Sequence, residues 1–567
     1  MSRIKINNLT PFSGQNINFG GHAVPSGNDK NLGSETNPWS ELYVSTGSIN
    51  FVNTANNIVA SIKAGGEPNV NAAIPLGMVF TETAGAFGTT LRGSFSVGRN
   101  NRALGTASLT VGLSNTASGN YSYAQGQSNR ATGLGAHAEG SGSIASGVGS
   151  HAEGQLTLAS GDYSHAEGRF TTASLGYSHA EGDSTKALGF YSHAEGSNTT
   201  ASGPWSHTEG GSTKTLGNLS HAEGEDTLAS GRGAHTEGYV TTASGQYSHA
   251  EGMDTIASGT GAHVEGQNNI ASGQASHAEG FFTIASGSSS HTEGIQTKAL
   301  GQYSHTEGDN TLTLGDSSHA EGYFTTASGN HSHAEGQITK AIGYYSHAEG
   351  FASISFGTNS HAEGYQTLAS GSSSHTEGRN TLAIGSNSHA EGFQTLTLGV
   401  GAHAEGYFTT ASGIGSHTEG ESTLANGNGA HAEGYLTIAQ GALSHAEGYL
   451  TTAIGNASHA EGLSTIALGY ASHAEGLFTI ASGSYQTVVG EYNALGDTTS
   501  HFIVGGGTSG SRKDAFKVTH SSSIVVATQS AAPSWTGTEG EMVPFVSGGV
   551  YHLYAYLGGA WRSASFS

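Results

Sequence analysis

Ser150-His151-Ala152-Glu153-Gly154-Gln155-Leu156-Thr157-Leu158-Ala159-Ser160-Gly161-Asp162-Tyr163 is followed at once by Ser164-His165-Ala166-Glu167-Gly168, and the His, Glu and Gly of the pattern then return without a miss. Histidine occupies every fourteenth residue from His137 to His473, which makes 25 positions, and glutamate keeps the same step from Glu139 to Glu475. A fixed short period means that one small unit is stacked along an axis, each copy touching only its neighbours. Fourteen residues are too few for a helical hairpin and match one turn of two short strands and two corners. Within Ser-His-Ala-Glu-Gly the side chains alternate, which places Ser, Ala and Gly on one face and His and Glu on the other. Thr157-x-Ala159-x-Gly161 alternates likewise. The small residues fill a narrow interior, and the glycines supply corners with positive φ. Leu175-Gly176 shifts one corner glycine by a place and leaves the His179 register intact, so it reads as a tolerated corner variant.

The copies can be compared within the one chain. Between Thr and Ala stand Leu158, Thr172, Lys186 or Ile256; after the glycine stand Gln155, Arg169, Asp183, Phe281 or Tyr323. Positions that accept any chemistry face solvent. Recent duplication alone would have preserved them too, so the fixed His and Glu are held by contacts. Towards the amino end the ladder positions carry Phe95, Leu109 and Tyr123, and Val97, Val111 and Gln125. At the far end they carry Thr487 and Val489, as expected of capping turns.

Composition agrees with a thin, extended chain. Of 567 residues 89 are Gly, and there is no Cys, which excludes disulfides and thiolate metal sites. The formal net charge of −24 comes from the ladder: without its 25 glutamates, 18 acids face 19 Lys and Arg. No basic stripe or tail points to nucleic acid. No run approaches 18 apolar residues and Met1–Lys5 leads into no apolar core, so neither membrane insertion nor a signal sequence is expected.

Ser-His-Ala-Glu-Gly-x-x-Thr-x-Ala-x-Gly resembles the head repeat of trimeric autotransporter adhesins, S-V-A-I-G-x-x-S-x-A-x-G, over roughly residues 91–490. The resemblance implies an all-β fold, a left-handed parallel β-roll of 14-residue coils in a homotrimer. It sets His151 and Glu153 where that family places Val and Ile at the threefold interface. The interface ladder is accordingly read as His137 with Glu139, His151 with Glu153, His165 with Glu167, His249 with Glu251, His361 with Glu363 and His473 with Glu475, and the intervening pairs. The same repeat occurs in phage tail fibres, and the ends are similar to theirs. Asn31–Ser34 and Trp39–Tyr43 resemble a virion-proximal segment; Phe502–Ser509 with Ala515–Val518 resembles a shaft exit. Pro533–Gly537 with Gly558–Arg562 resembles a small distal β domain.

The expected organisation is a virion-attachment segment (1–50), a connector (51–90), a β-roll shaft (91–490), a shaft exit (491–523) and a C-terminal β tip (524–567). The function so implied is a structural and adhesive fibre of a phage virion, extracellular. Its partners would be its own copies, a virion or baseplate protein at the N-terminus and a host glycan or protein at the tip. Trp535, Tyr551, His552, Tyr554, Tyr556 and Trp561 concentrate aromatic surface in the tip and are the candidate receptor contacts; packing as the core of the tip is their alternative. A bacterial surface adhesin and an ice-binding solenoid with a Thr ladder are the competing classes.

No enzyme is expected, since a His and a Glu in every turn provide no unique cleft, nucleophile or oxyanion donor. No cofactor is called for. Imidazole and carboxylate are metal ligands, but ions in every layer about 4.8 Å apart would repel, so no dedicated metal site is read and any occupancy would be sparse. The shaft should be a rod of roughly 135–140 Å, about 29 turns at the inter-strand spacing. His⁺–Glu⁻ pairing at a trimer axis would raise the His pKa and lower that of Glu.

Overall fold

The computed structural model describes residues 94–529 and 531–566, together with the strands Gly47–Val52, Ile58–Ala64 and Leu76–Val79. The sequence motifs at Asn31–Ser34 and Trp39–Tyr43 lie outside the described residues. The chain divides into two units, Met1–Gly149 and Ser150–Ser567. Among the described residues all regular structure is β, and no helix is long and apolar enough to cross a membrane.

In the first unit the three leading strands form an antiparallel sheet in chain order. Parallel coils then begin with Phe95–Arg99, which pairs with Leu109–Leu113; Tyr123–Gln127 and His137–Ser141 follow in the same register. Asn115 and Asn129 sit where later coils have Thr, and each Asn Oδ1 accepts the backbone N–H of the residue one coil on.

The second unit is a β-solenoid. Each coil gives one strand beginning at His and one two-residue strand ending at the small residue after Thr-x, as in His151–Gln155 and Leu158–Ala159. Each strand pairs in parallel with its counterpart fourteen residues on: His151 opposite His165, Glu153 opposite Glu167, Ala159 opposite Ala173. Alternation decides what is inside. Ser150, Ala152, Thr157 and Ala159 are buried, so the interior is two thin columns of small side chains per sheet, with Val264 and Val488 among the largest occupants. Interior serines close one corner, Ser164 Oγ donating to the Gly161 carbonyl at 2.7 Å. Because Thr points inward, the exposed Thr face that an ice-binding solenoid needs is not presented.

The two glycines of a coil are fixed by different causes. Gly308 adopts φ +101°, and a Cβ there would lie 2.1 Å from the Gly322 carbonyl oxygen. Gly315 has an ordinary φ, yet a Cβ would meet the Gly329 oxygen at 2.0 Å. Only the first fits the expectation of positive φ; the second answers to the closeness of the next coil. Leu175 takes the second kind of position and Gly176 follows it. A surface cavity of about 390 Å³ lies there, lined by Tyr163, Leu175, Tyr177 and Phe190 among others.

Left-handed backbone also occurs at two non-glycine corner positions, for example Leu156 (φ 57°) and Tyr163 (φ 57°), and even at the β-branched Val240 and Ile338. Such residues are strained in isolation. Here the corner amide donates to the preceding coil, as Phe170 N to Gln155 O at 2.9 Å and Tyr177 N to Asp162 O at 2.9 Å, and the stack holds the conformation.

Beyond Thr487–Glu491, strand Ser500–Gly506 continues the sheet in parallel and then turns antiparallel through Asp514–Thr519 and Ile524–Val526. Gln486 replaces the interior Ser of the last coil. Its Oε1 accepts the Ser482 and Gly483 amides, and its Nε2 donates to the Asp497 and Ser500 carbonyls. Ile503 closes the column. The C-terminal part is a three-stranded antiparallel meander of Met542–Ser547, Val550–Leu557 and Ala560–Phe566.

Candidate functional site

His and Glu point out of the coil. Between them the small residue is buried, while the His side chains keep 31–37 % of their surface and the Glu side chains 27–51 %. Parallel in-register pairing puts each imidazole over the next. In the second unit the ring centroids lie 4.6–4.9 Å apart along the ladder, nearly parallel at most steps; His459 and His473 meet edge to face. The ladder pairs named from sequence all come together. His137 Nε2 lies 3.4 Å from a Glu139 oxygen, and the distance is 3.7 Å from His151 to Glu153 and from His165 to Glu167. It is 3.6 Å from His249 to Glu251, 3.7 Å from His361 to Glu363 and 3.6 Å from His473 to Glu475. Some carboxylates also reach the next coil: Glu195 lies 3.9 Å from His193 and 3.6 Å from His207. From His165 to His459 the Nε2 atoms are shielded from solvent and make no hydrogen bond within the chain.

Within one chain the electrostatics run opposite to the raised His and lowered Glu expected for pairs at a trimer axis. His347 and His389 are pushed down to about 4, first by burial and then by the imidazoles stacked on either side; the neighbouring glutamates pull the other way and lose. Glu279 rises to about 7 through its hydrogen bond with Glu265, then burial, and Glu349 does so through Glu335. Glu265 and Glu335, on the accepting side of such bonds, shift down.

The same correction applies to pairs named from the sequence. His165 and His249 are lowered by burial and by the imidazoles next to them. Glu251 is raised, by burial and then by its hydrogen bond with Glu265. His361 is lowered as well: burial and the charge of His375 outweigh the attraction of Glu363. Glu363, read from the sequence as the ion-pair partner of His361, is not engaged with that imidazole alone. It also bonds to the carboxyl of Glu349 one coil back and helps to raise it. For these histidines burial first, and then the like groups a coil apart, outweigh the His–Glu attraction within the chain. At these positions the imidazoles are held toward the neutral form, and the carboxyls of Glu251, Glu265 and Glu279, and of Glu335 and Glu349, hydrogen-bond to one another across coils.

Aromatic residues flank the ladder in a pattern that the sequence reading does not anticipate. On the ladder's own face, at the residue after Gly, Phe351 stacks on Tyr365 and Phe393 on Tyr407, each at 4.8 Å, and Tyr435 on Tyr449 at 4.9 Å. At the corner before the interior Ser, Tyr163, Tyr177, Tyr191 and Trp205 form a second exposed stack. Fourteen-residue spacing of aromatics is the available signal, masked by the variability of those positions along the rest of the array.

The six tip residues divide. Trp561 Nε1 donates to the Trp535 carbonyl at 2.7 Å, and Trp561 packs edge-on against Trp535 and Tyr556. His552 stacks on Phe545 and its Nδ1 meets Ser565 Oγ at 2.8 Å; Tyr554 meets the same Phe545 ring. Tyr551 points to the opposite sheet face and is 59 % exposed. Trp535 and Tyr551 are the two exposed members, and the other four are half-buried against one another.

The YadA head domain repeat matches this chain at residues 180–206, 237–262, 348–374, 362–388, 377–395, 446–472 and 460–485, all within the second unit. The coils are therefore similar to an adhesin head repeat, with the outward pair changed from aliphatic residues to His and Glu. No curated protein matches the chain.

Proposed function

We propose that the chain is the subunit of a homotrimeric adhesin-type fibre whose His/Glu face turns to the threefold axis. One observation carries the reading. The outward His and Glu are invariant in every coil from His151 to Glu475, whereas the other outward positions vary freely. A row of shielded imidazole nitrogens without partners is costly to leave so, and a facing chain supplies partners. Stacked aromatics on the same face, from Phe351 to Tyr449, add apolar area to that contact. The thin Ala/Ser/Thr interior gives a lone coil little apolar burial, which again favours assembly.

The finer reading is a tail fibre of a phage virion: N-terminal docking, the coils as a spacer, and the C-terminal meander as host contact through Trp535 and Tyr551. The end motifs read in the sequence support it. A bacterial surface trimeric adhesin is the second reading, favoured by the similarity of the repeat.

Sedimentation equilibrium should give three chains of 57.4 kDa each; a folded single chain overturns the trimer. Removal of residues 531–567 should leave the assembly trimeric and abolish adsorption to host cells. Undiminished adsorption would move the receptor contact elsewhere.

A further inference from the structure

We propose that the ladder binds borderline divalent metal ions, Zn²⁺ foremost, within a single chain. Each ion would be held by Nε2 of two successive histidines and the carboxylate of the glutamate between them, with at most one ion per two coils. The inference stands on the geometry of one chain and does not depend on the threefold reading.

Three observations meet here. Groups of His, Glu and the next His recur along the second unit, among them His179–Glu181–His193 and His221–Glu223–His235, with ligand atoms within 4.8 Å of one another. The Nε2 atoms from His165 to His459 face these carboxylates, are shielded from water and make no hydrogen bond within the chain. Most His–Glu separations within a coil are 3.4–4.0 Å, long for a hydrogen bond. Zn–N and Zn–O bonds of about 2.0–2.2 Å at a roughly tetrahedral angle span about 3.3–3.7 Å between donors, so the gap fits an ion better than a proton. Glu349, 3.8 Å from both His347 and His361, and Glu195 between His193 and His207 are the best-formed sites.

The donor set fixes the class of metal. Two imidazoles and one carboxylate suit Zn²⁺, Ni²⁺ or Cu²⁺, whereas Ca²⁺ and Mg²⁺ require oxygen ligands. Water completes the tetrahedron. Stoichiometry follows from the stack. Successive rings lie 4.6–4.9 Å apart, beyond the roughly 3.3–3.7 Å that a tetrahedral ion spans between two donors. Two rings must therefore lean together, which moves each away from its other neighbour and empties the next gap. Alternate filling also sets the ions about 9–10 Å apart, twice the strand spacing, and relieves their repulsion.

The test uses untagged full-length protein, loaded with excess Zn²⁺ and freed of unbound metal by gel filtration. Zinc by atomic absorption should be on the order of ten ions per chain, from alternate filling of the ladder, and Co²⁺ in its place should give the intense visible bands of tetrahedral coordination. Changing His319, His333, His347, His361, His375 and His389 to Gln should remove about three ions per chain, one per pair of coils. Changing the exposed Asp226 and Asp254 to Asn should remove none. Less than about one zinc per chain, or a content unmoved by the six His substitutions, overturns the proposal. Should the six-fold variant fail to fold, the wild-type cobalt spectrum decides, since a weak octahedral spectrum overturns it alone. Sedimentation of the same samples reports the number of chains separately.

Discussion

His347 and His361 lie face to face, ring centroids 4.6 Å apart and planes within 1° of parallel. Two imidazoles so placed cannot both charge cheaply, and half-burial adds to the cost. The His347 pKa at about 4 expresses both effects, as does His389 two coils beyond His361.

Acid should therefore weaken the coils. A His with a depressed folded pKa contributes stability that is fully present above its unfolded value, about 6.5. That stability is lost as pH falls through the folded value. The raised glutamates, Glu279 and Glu349 at about 7, act in reverse: their contribution is complete below about 4.5 and fades as pH rises through 7. Lowered histidines far outnumber raised glutamates, so the melting temperature should climb between pH 4 and 6.5 and flatten above. Circular dichroism melts across that range check it. A maximum near pH 5 would restore the ion-pair picture read from the sequence.

Substitution of glycines shows which of them the stack requires. Gly308→Ala meets both a left-handed backbone and the Gly322 oxygen, and should cost about 2–4 kcal/mol locally. Gly211→Ala, whose Cβ would have its nearest neighbour at 3.7 Å, should be within about 0.5 kcal/mol of neutral. Hydrogen exchange of the flanking coils reads both.

At the end of the solenoid Asp497 accepts hydrogen bonds from the Thr499 amide and hydroxyl, Ser500 Oγ and Lys517 Nζ. Burial alone would raise its pKa, but these donors hold it at about 2. Its contribution is present above about 3.9 and disappears only as pH falls through 2. Asp497→Asn should loosen strand Ser500–Gly506 by about 1–3 kcal/mol, seen as faster amide exchange from Ser500 to Thr519 while the coils before Gly469 keep theirs.

Much of this was legible because the alternation is strict. Ser164, Ala166, Thr171 and Ala173 could only face inward if His165 and Glu167 face out, and small side chains left room for nothing but a thin interior. The role of each glycine was not legible, since Gly308 and Gly315 look alike in the sequence and only stacking distances separate positive φ from crowding. Tyr163 and Leu156 in left-handed corners carry no sequence signal, because the backbone bonds to the preceding coil impose the conformation. The direction of the His shift was missed for a related reason. Reading along one strand sets His165 beside Glu167 and His361 beside Glu363. The fold sets His165 between His151 and His179, and His361 between His347 and His375. At the tip, the sequence grouped six aromatic-region residues that the meander divides between two faces.

The absence of Cys allows the central claim, that His and Glu of separate chains meet, to be tested by one cross-link. Glu321→Cys places a single thiol on the ladder, and Lys340→Cys places one on the exposed second strand. Under mild oxidation and denaturing electrophoresis, Glu321→Cys should run largely as covalently joined pairs of chains and Lys340→Cys as single chains. Cross-linking at Lys340→Cys with none at Glu321→Cys would contradict the account and turn the coil's other face to the axis.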